Sequence, residues 1–134
     1  MAVTFILRFA LAIILLAHSV PSIVTGDIVN FGRGYLDTAG FAPWGIYIAF
    51  LVKGAHLISA PLLLMNRYLK AISIANILIF VAGIILVHWQ DGWYVVGGGR
   101  NGIEFNFLLI ACFLTLLFPN GIIDSVRRLR STKE

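Results

Sequence analysis

Four long apolar segments dominate this sequence, over about residues 3–24, 41–65, 69–88 and 103–118. A helix needs about 20 consecutive, mostly apolar residues to cross the hydrocarbon core of a bilayer, and each segment meets or approaches that length. The chain is too short and too continuously apolar for a membrane barrel, so helices are the only spanning form that satisfies its backbone polar groups. The sequence therefore predicts an all-α membrane protein, built as an antiparallel bundle of four transmembrane helices.

The composition supports a membrane protein of one domain. Hydrophobic residues make up 60% of the chain and charged residues 12%, whereas soluble domains carry about 25% charged residues. A length of 134 residues suits a single domain over residues 1–134. The net charge of +4 would suggest nucleic acid as the partner of a soluble protein. Here the uneven placement of the basic residues instead indicates the orientation in the membrane, and the expected partner is the lipid bilayer.

The first apolar segment is interpreted as a retained helix and not as a secretory signal. It runs from Val3 to Val24, which is longer than the 7–15-residue core of signal peptides. It also lacks a basic region ahead of that core. We therefore expect it to remain as the first transmembrane helix.

The connections between the segments differ in kind. Residues 25–40 are rich in Gly and Asp and predict a polar loop, with or without a short interfacial helix. Residues 66–68 predict a tight hairpin, which makes the second and third segments antiparallel neighbours. Residues 89–102 predict a second loop, whose Trp and Tyr side chains suit the headgroup region. Residues 121–130 are basic and amphipathic, which fits either an interfacial helix or a frayed tail.

The distribution of Lys and Arg predicts the orientation in the membrane. Cytoplasmic loops carry an excess of these residues. Seven of them fall on the side of the N-terminus, two fall on the other side, and Lys53 lies within the second segment. We therefore expect both termini on the cytoplasmic side of the cytoplasmic (inner) membrane. The seven are Arg8, Arg67, Lys70, Arg127, Arg128, Arg130 and Lys133, and the two are Arg33 and Arg100.

Lys53 and His56 are the most unusual residues of the apolar segments. Because they are three residues apart, they share one face of the second helix. A Lys near the centre of a span costs about 3 kcal/mol on insertion scales, so we expect it to face the interior, beside a carboxylate or backbone carbonyls. His18 lies within the first helix, one turn before Pro21, which frees the carbonyl of Ala17 and predicts a local polar pocket. Each of these residues can also serve structural packing alone.

Three other ionisable residues lie near the ends of segments. Arg8 is expected to extend its side chain to the cytoplasmic interface, and His88 to be solvated at the end of the third segment. Glu104 begins the fourth helix, where the helix dipole favours a carboxylate. It is also positioned to pair with cations from the outer side. Together His18, Lys53, His56 and Glu104 form the candidate polar cleft, open to the non-cytoplasmic side.

No catalytic residue and no metal site is predicted. The three His residues lie on separate segments without the spacing of a metal-binding pair. Gly97, Gly99 and Gly102 match a dinucleotide fingerprint, but no strand–turn–helix unit surrounds them. The single cysteine, Cys112, cannot form an internal disulfide.

Small residues four apart predict the faces through which the helices pack. Gly45 and Ala49 in the second segment have this spacing, and so do Ala71 and Ala75 in the third. We expect both pairs to lie against neighbouring helices.

Three stretches of this chain resemble the DoxX family of small four-helix membrane proteins. FILRFALAIILLAHS is similar to that family's opening, with an Arg followed ten residues later by a His and a small residue. KGAHLISAPLLLMNRYLKAISIANILIFVAGIILVH resembles its helix–hairpin–helix. GWYVVGGGRNGIEFNFLLIACFLTLLF resembles its ending, where N-G-x-E-F opens the last helix. The residues that match the family's pattern are Arg8, His18, Asn101, Gly102 and Glu104.

The resemblance implies work in a membrane redox complex. Family members are similar to the small subunit of thiosulfate:quinone oxidoreductase, and others are linked to complexes that handle sulfur compounds or oxidative stress. This favours an accessory or anchoring subunit without a catalytic group of its own, bound to a protein partner or to further copies of itself. A quinone- or small-thiol-handling redox component, with quinone as its cofactor, is the first alternative, and a small-solute or proton-coupled transporter is the second. Lys53 departs from the pattern, because the resemblance implies a Glu before Gly54.

Overall fold

The computed structural model describes residues 4–97 and 101–121, and all regular secondary structure within these ranges is helical. Three helices are long and apolar enough to cross a membrane, and a shorter apolar helix follows them. The chain is therefore a membrane protein. Its α-helices are α1 (Phe5–Val24), α2 (Asp27–Val29), α3 (Gly45–Leu64), α4 (Leu69–Gly83) and α5 (Glu104–Leu117).

The four predicted segments correspond to α1, α3, α4 and α5. The third segment continues beyond α4 through wide π-type turns at Ile84–His88 and a 3-10 turn at Trp89–Asp91. The second helix begins at Gly45, four residues later than its apolar segment. Pro43 explains this delay, since the residue before a proline avoids helical geometry, and Ala42 accordingly has a ψ of 137°. The helix predicted at residues 121–130 lies, apart from Gly121, outside the described residues.

The connection between the first two spanning helices is more helical than a polar loop. After α2 the chain forms a π-type helical segment, Asn30–Phe41, which is interrupted at Gly40 with a φ of +103°. Ile28 and Leu36 from this connection are buried with Ala49 of α3. The connection therefore packs against α3.

Two glycines bring the π-type segment into backbone contact with the start of α3. A Cβ added to Gly32 would lie 2.6 Å from the Cα of Ile46, and one added to Gly45 would meet the Gly32 carbonyl. Asp37 accepts a hydrogen bond from the Gly45 N–H at 2.8 Å. This bond satisfies one of the donors that a helix N-terminus leaves free.

Helix α1 packs on α3, and α5 packs on α4. The beginning of α1 lies beside the end of α3, while α3 and α4 are joined by the short link of residues 65–68. Residues from α1, α3, α4 and α5 meet in one apolar core. Its buried members are Leu11, Ala12, Leu15, Ala60, Leu63, Ile72, Phe80, Leu109, Phe113 and Leu116.

The packing expected from small residues is correct for α3 and wrong for α4. Gly45 and Ala49 are buried, whereas Ala71 and Ala75 are exposed. Helix α4 turns Ser73 and Asn76 inward instead. A polar side chain facing lipid would lack hydrogen-bond partners, so these two residues decide which face of α4 is buried.

Candidate functional site

Lys53 lies on the inner face of α3 and is 8% exposed. Its ammonium donates a hydrogen bond to the backbone carbonyl of His18 at 2.8 Å. No carboxylate of the described residues lies within ion-pair distance of it, although the negative charge of Asp27 acts on it from further away. His18 belongs to the turn of α1 that Pro21 loosens. Since an ammonium carries three donors, Lys53 retains hydrogens that can bind water or a ligand.

His56 lies one turn from Lys53 on the same helix. It is 1% exposed, and neither ring nitrogen has a hydrogen-bond partner among the described residues. Its ring centroid lies 6.0 Å from that of His18 and 5.7 Å from that of Phe80, on which it stacks. His56 therefore connects α1, α3 and α4 through ring contacts and keeps both nitrogens available.

Two cavities adjoin these residues. The large cavity has a volume of about 670 Å³, and the small cavity one of about 250 Å³. Lys53, Asp27 and apolar residues of α3, α4 and the π-type segment line the large one, whereas α1 and α5 supply most of the apolar lining of the small one. The residues shared by both linings are His18, His56, Phe80, His88, Asn101 and Asn106.

Glu104 lies apart from the other residues of the candidate polar cleft. Its carboxylate accepts a hydrogen bond from the Val95 N–H at 2.8 Å, and its own N–H donates to the Trp93 carbonyl at 3.0 Å. It is not part of the lining of either cavity. Glu104 thus ties the preceding loop to the start of α5.

Asn101 and Gly102, two further residues of the N-G-x-E-F stretch, also hold this loop. The Asn101 carbonyl lies 2.6 Å from Nδ1 of His88. Gly102 is buried so closely against the backbone of Trp93 and Tyr94 that a Cβ would collide with it. The residues of this stretch that resemble the family motif therefore have a structural role beside the cavities.

Arg8 is buried at the opposite end of the helices, contrary to the expectation that it extends to the membrane surface. It is 4% exposed, and its guanidinium donates to the Leu63 carbonyl at 2.8 Å. The last carbonyls of a helix lack partners within the helix, and a cation there also interacts favourably with the helix dipole. Arg8 therefore caps α3 and fixes the start of α1 against it.

Sequence reasoning missed a set of buried polar side chains on α4 and α5. Asn76 donates from Nδ2 to Ser59 Oγ at 2.8 Å and to the Ile72 carbonyl at 2.7 Å. Ser73, one turn before it, is also fully buried, and so is most of Asn106 on α5. The sequence feature that could have revealed them is Asn76, an amide side chain in the middle of the third apolar segment.

The structure brings together His18, Lys53 and His56 at the large cavity and places Glu104 elsewhere. Their participation in function stays a prediction. Among the described residues no three His, Cys, Asp or Glu side chains are grouped closely enough to hold a metal ion. Of the three glycines in the fingerprint-like stretch, Gly99 lies outside the described residues.

Comparisons with protein-family models, curated proteins and solved structures find no match for this chain. The likeness to the DoxX family therefore rests on the three sequence stretches alone.

Proposed function

We propose that this chain is a DoxX-like subunit of a membrane redox complex and that its large cavity binds a quinone-class molecule. The observation that carries the proposal is a cavity of about 670 Å³, mostly apolar, with Lys53, His18 and His56 grouped at its wall. Small-molecule sites typically measure about 300–1,000 Å³ and combine apolar walls with a few polar groups. A quinone suits such a site, because its flat apolar ring carries carbonyl oxygens that accept hydrogen bonds.

Lys53, His56 and Phe80 have complementary roles in this proposal. The Lys53 ammonium donates to one ring oxygen, and an imidazole nitrogen of His56 pairs with a second polar atom. The face of Phe80 offers a surface for the ring of the ligand. The polar wall thus fixes the orientation of the head group.

We infer that electrons come from a partner protein. The chain has one cysteine, Cys112, so it cannot hold a dithiol–disulfide pair of its own. This chain therefore binds and positions the quinone, and the partner protein supplies the redox centre.

A test of ligand binding is purification in mild detergent followed by extraction and mass spectrometry of bound quinone. Wild type should retain quinone, and Lys53→Met should lose it. Lys70→Met is the matched control, since Lys70 is exposed and should retain quinone as wild type does. Absence of quinone from wild type, or equal retention by Lys53→Met, contradicts the proposed ligand. A stoichiometric protein partner without quinone would support a purely anchoring subunit.

We further propose that the chain crosses the cytoplasmic (inner) membrane four times as antiparallel helices. Both termini then lie on the cytoplasmic side. The three long helices and the excess of Lys and Arg on one side support this topology. Helix α5 has 14 residues and is about 21 Å long, shorter than the ~30 Å hydrocarbon core. Local thinning of the bilayer accommodates such a helix at modest cost.

Cysteine labelling tests this topology in a Cys112→Ala background. Ser131→Cys should react only with reagent applied from the cytoplasmic side, and Asp91→Cys only from the opposite side. Reaction of both cysteines from the same side would exclude the single crossing by α5 that is proposed to separate them. Labelling of Ser131→Cys only from the outside would contradict the assigned orientation.

A further inference from the structure

A row of buried polar side chains leads away from the large cavity through the apolar core. We define the polar row as His56 and Ser59 on α3 with Ser73 and Asn76 on α4. Within each pair the residues are three apart and therefore share a helix face. All four are at most 3% exposed, although they lie in helices that are otherwise almost wholly apolar.

One hydrogen bond joins the two helices within the polar row. Asn76 Nδ2 donates to Ser59 Oγ at 2.8 Å, which joins α4 to α3 inside the core. The hydrogen bond between Asn76 and Ser59 thus forms the middle of the polar row. His56 lies one turn from it on α3, and Ser73 lies one turn from it on α4.

The polar row contains more polar atoms than its own hydrogen bonds satisfy. Both ring nitrogens of His56, Oγ of Ser73 and Oδ1 of Asn76 are buried without a partner among the described residues. Buried polar groups are nearly always paired, and those without a protein partner are commonly bridged by ordered water. A merely structural link between α3 and α4 would need only the bond between Asn76 and Ser59.

The polar row extends between the cavities and the buried side chain of Arg8. His56 borders both cavities. At the other end, Leu63 follows Ser59 by four residues and accepts the hydrogen bond of Arg8, whose Nε is a further buried atom without a partner. From His56 to Leu63 the helix rises by about 10 Å, a third of the ~30 Å hydrocarbon core, and the large cavity extends on the other side of His56.

We propose that the polar row carries internal water and conducts protons between the large cavity and the Arg8 end of the helices. His56 can accept a proton on one ring nitrogen and release it from the other, and serine hydroxyls and bound water relay it onward, while the Asn76 amide holds that water by hydrogen bonds. The titratable groups around His56 are His18 from α1, Lys53 from its own helix, and Asp27 and His88 across the large cavity. The inference is independent of which molecule fills the cavity.

Proteoliposomes with a pH-sensitive dye inside test the proposal. A potassium gradient with valinomycin imposes a membrane potential, and the dye records the proton flux. Wild type should exceed protein-free vesicles severalfold, and Asn76→Leu, which replaces the amide by an apolar group of similar size, should return the flux to the protein-free level. Thr115→Val is the matched control, because Thr115 is exposed on α5 and bonds only to its own helix. It should behave as wild type.

Ser73→Ala gives a second variant that adds no volume to the core, and circular dichroism with gel filtration verifies that each variant is folded. A folded Ser73→Ala protein should also lose most of the flux. Wild-type flux no higher than that of protein-free vesicles, or a folded Ser73→Ala protein that conducts as wild type, would overturn the proposal. Loss of quinone binding with normal proton flux would instead remove only the proposed ligand.

Discussion

The close approach of Gly32 and α3 gives a quantitative prediction for Gly32→Ala. The new Cβ would lie 2.6 Å from Ile46 Cα and 2.9 Å from Ile46 N, whereas carbon atoms in contact are about 3.5–4.0 Å apart. The π-type segment and the α3 backbone would therefore have to separate by about 1 Å. Overpacking of this kind costs about 1–3 kcal/mol, because backbone atoms cannot turn aside as a flexible side chain can.

Gly34→Ala is the matched control in the same π-type segment. Nothing lies within 4 Å of a Cβ added to Gly34, and its φ is not in the left-handed region. Both substitutions restrict the unfolded chain similarly, a gain of about 0.4–1 kcal/mol where the native backbone accepts Ala. That gain cancels in the comparison, so the overpacking cost of about 1–3 kcal/mol remains as the difference between the two variants.

The measurement is the free energy of unfolding in mixed micelles titrated with SDS, followed by far-UV circular dichroism. Gly32→Ala should unfold at lower SDS than Gly34→Ala. Phe31 and Leu36, which border the large cavity, lie on the displaced segment, so retention of a bound ligand should fall as well. Equal stability of the two variants, or the reverse order, would refute the backbone contact between the π-type segment and α3.

Three further predictions concern single side chains. Arg8→Met should lower the free energy of unfolding by about 1–3 kcal/mol, because the carbonyl at the end of α3 loses a charged donor. Arg67→Met, in the exposed hairpin, should change it little, and equal effects of the two variants would argue against the cap. Phe113→Ala should lower it by about 3–5 kcal/mol by opening a cavity in the core, and a loss below 1 kcal/mol would place Phe113 outside the core. Glu104→Ala should speed hydrogen exchange of the Val95 amide, and an unchanged rate would mean that the carboxylate does not hold the loop.

The grouping of Lys53, His56 and His18 could be predicted from the sequence for a physical reason. Helical spacing puts Lys53 and His56 on one face, and the cost of a central Lys in lipid forces that face inward. The expectation of carbonyls near Lys53 is met by the His18 carbonyl. Pro21, which loosens the same turn of α1, was visible in the sequence and predicted a polar pocket around His18.

Glu104 and Asn76 show where sequence reasoning ended. The position of Glu104 depends on how residues 93–95 fold back over the start of α5, which is a tertiary contact without a periodic signal. For α4, the nearly uniform apolar sequence did not decide which face of the helix is buried. The spacing of Ala71 and Ala75 predicted a face that is exposed in the structure. The buried face depends on Ser59, which Asn76 meets only after the hairpin has formed.

The cap that Arg8 forms on α3 has a consequence for the biogenesis of the protein. Its carbonyl partner is 55 residues further along the chain, and ribosomes add about 5–20 residues per second. Arg8 is therefore made about 3–11 s before its partner, in a helix with a guanidinium and an imidazole that lipid disfavours. During that interval α1 needs a polar surrounding, which the aqueous interior of the insertion machinery or the membrane surface supplies. We expect α1 to enter the bilayer together with α3, so that the two helices insert as a pair and not one after the other.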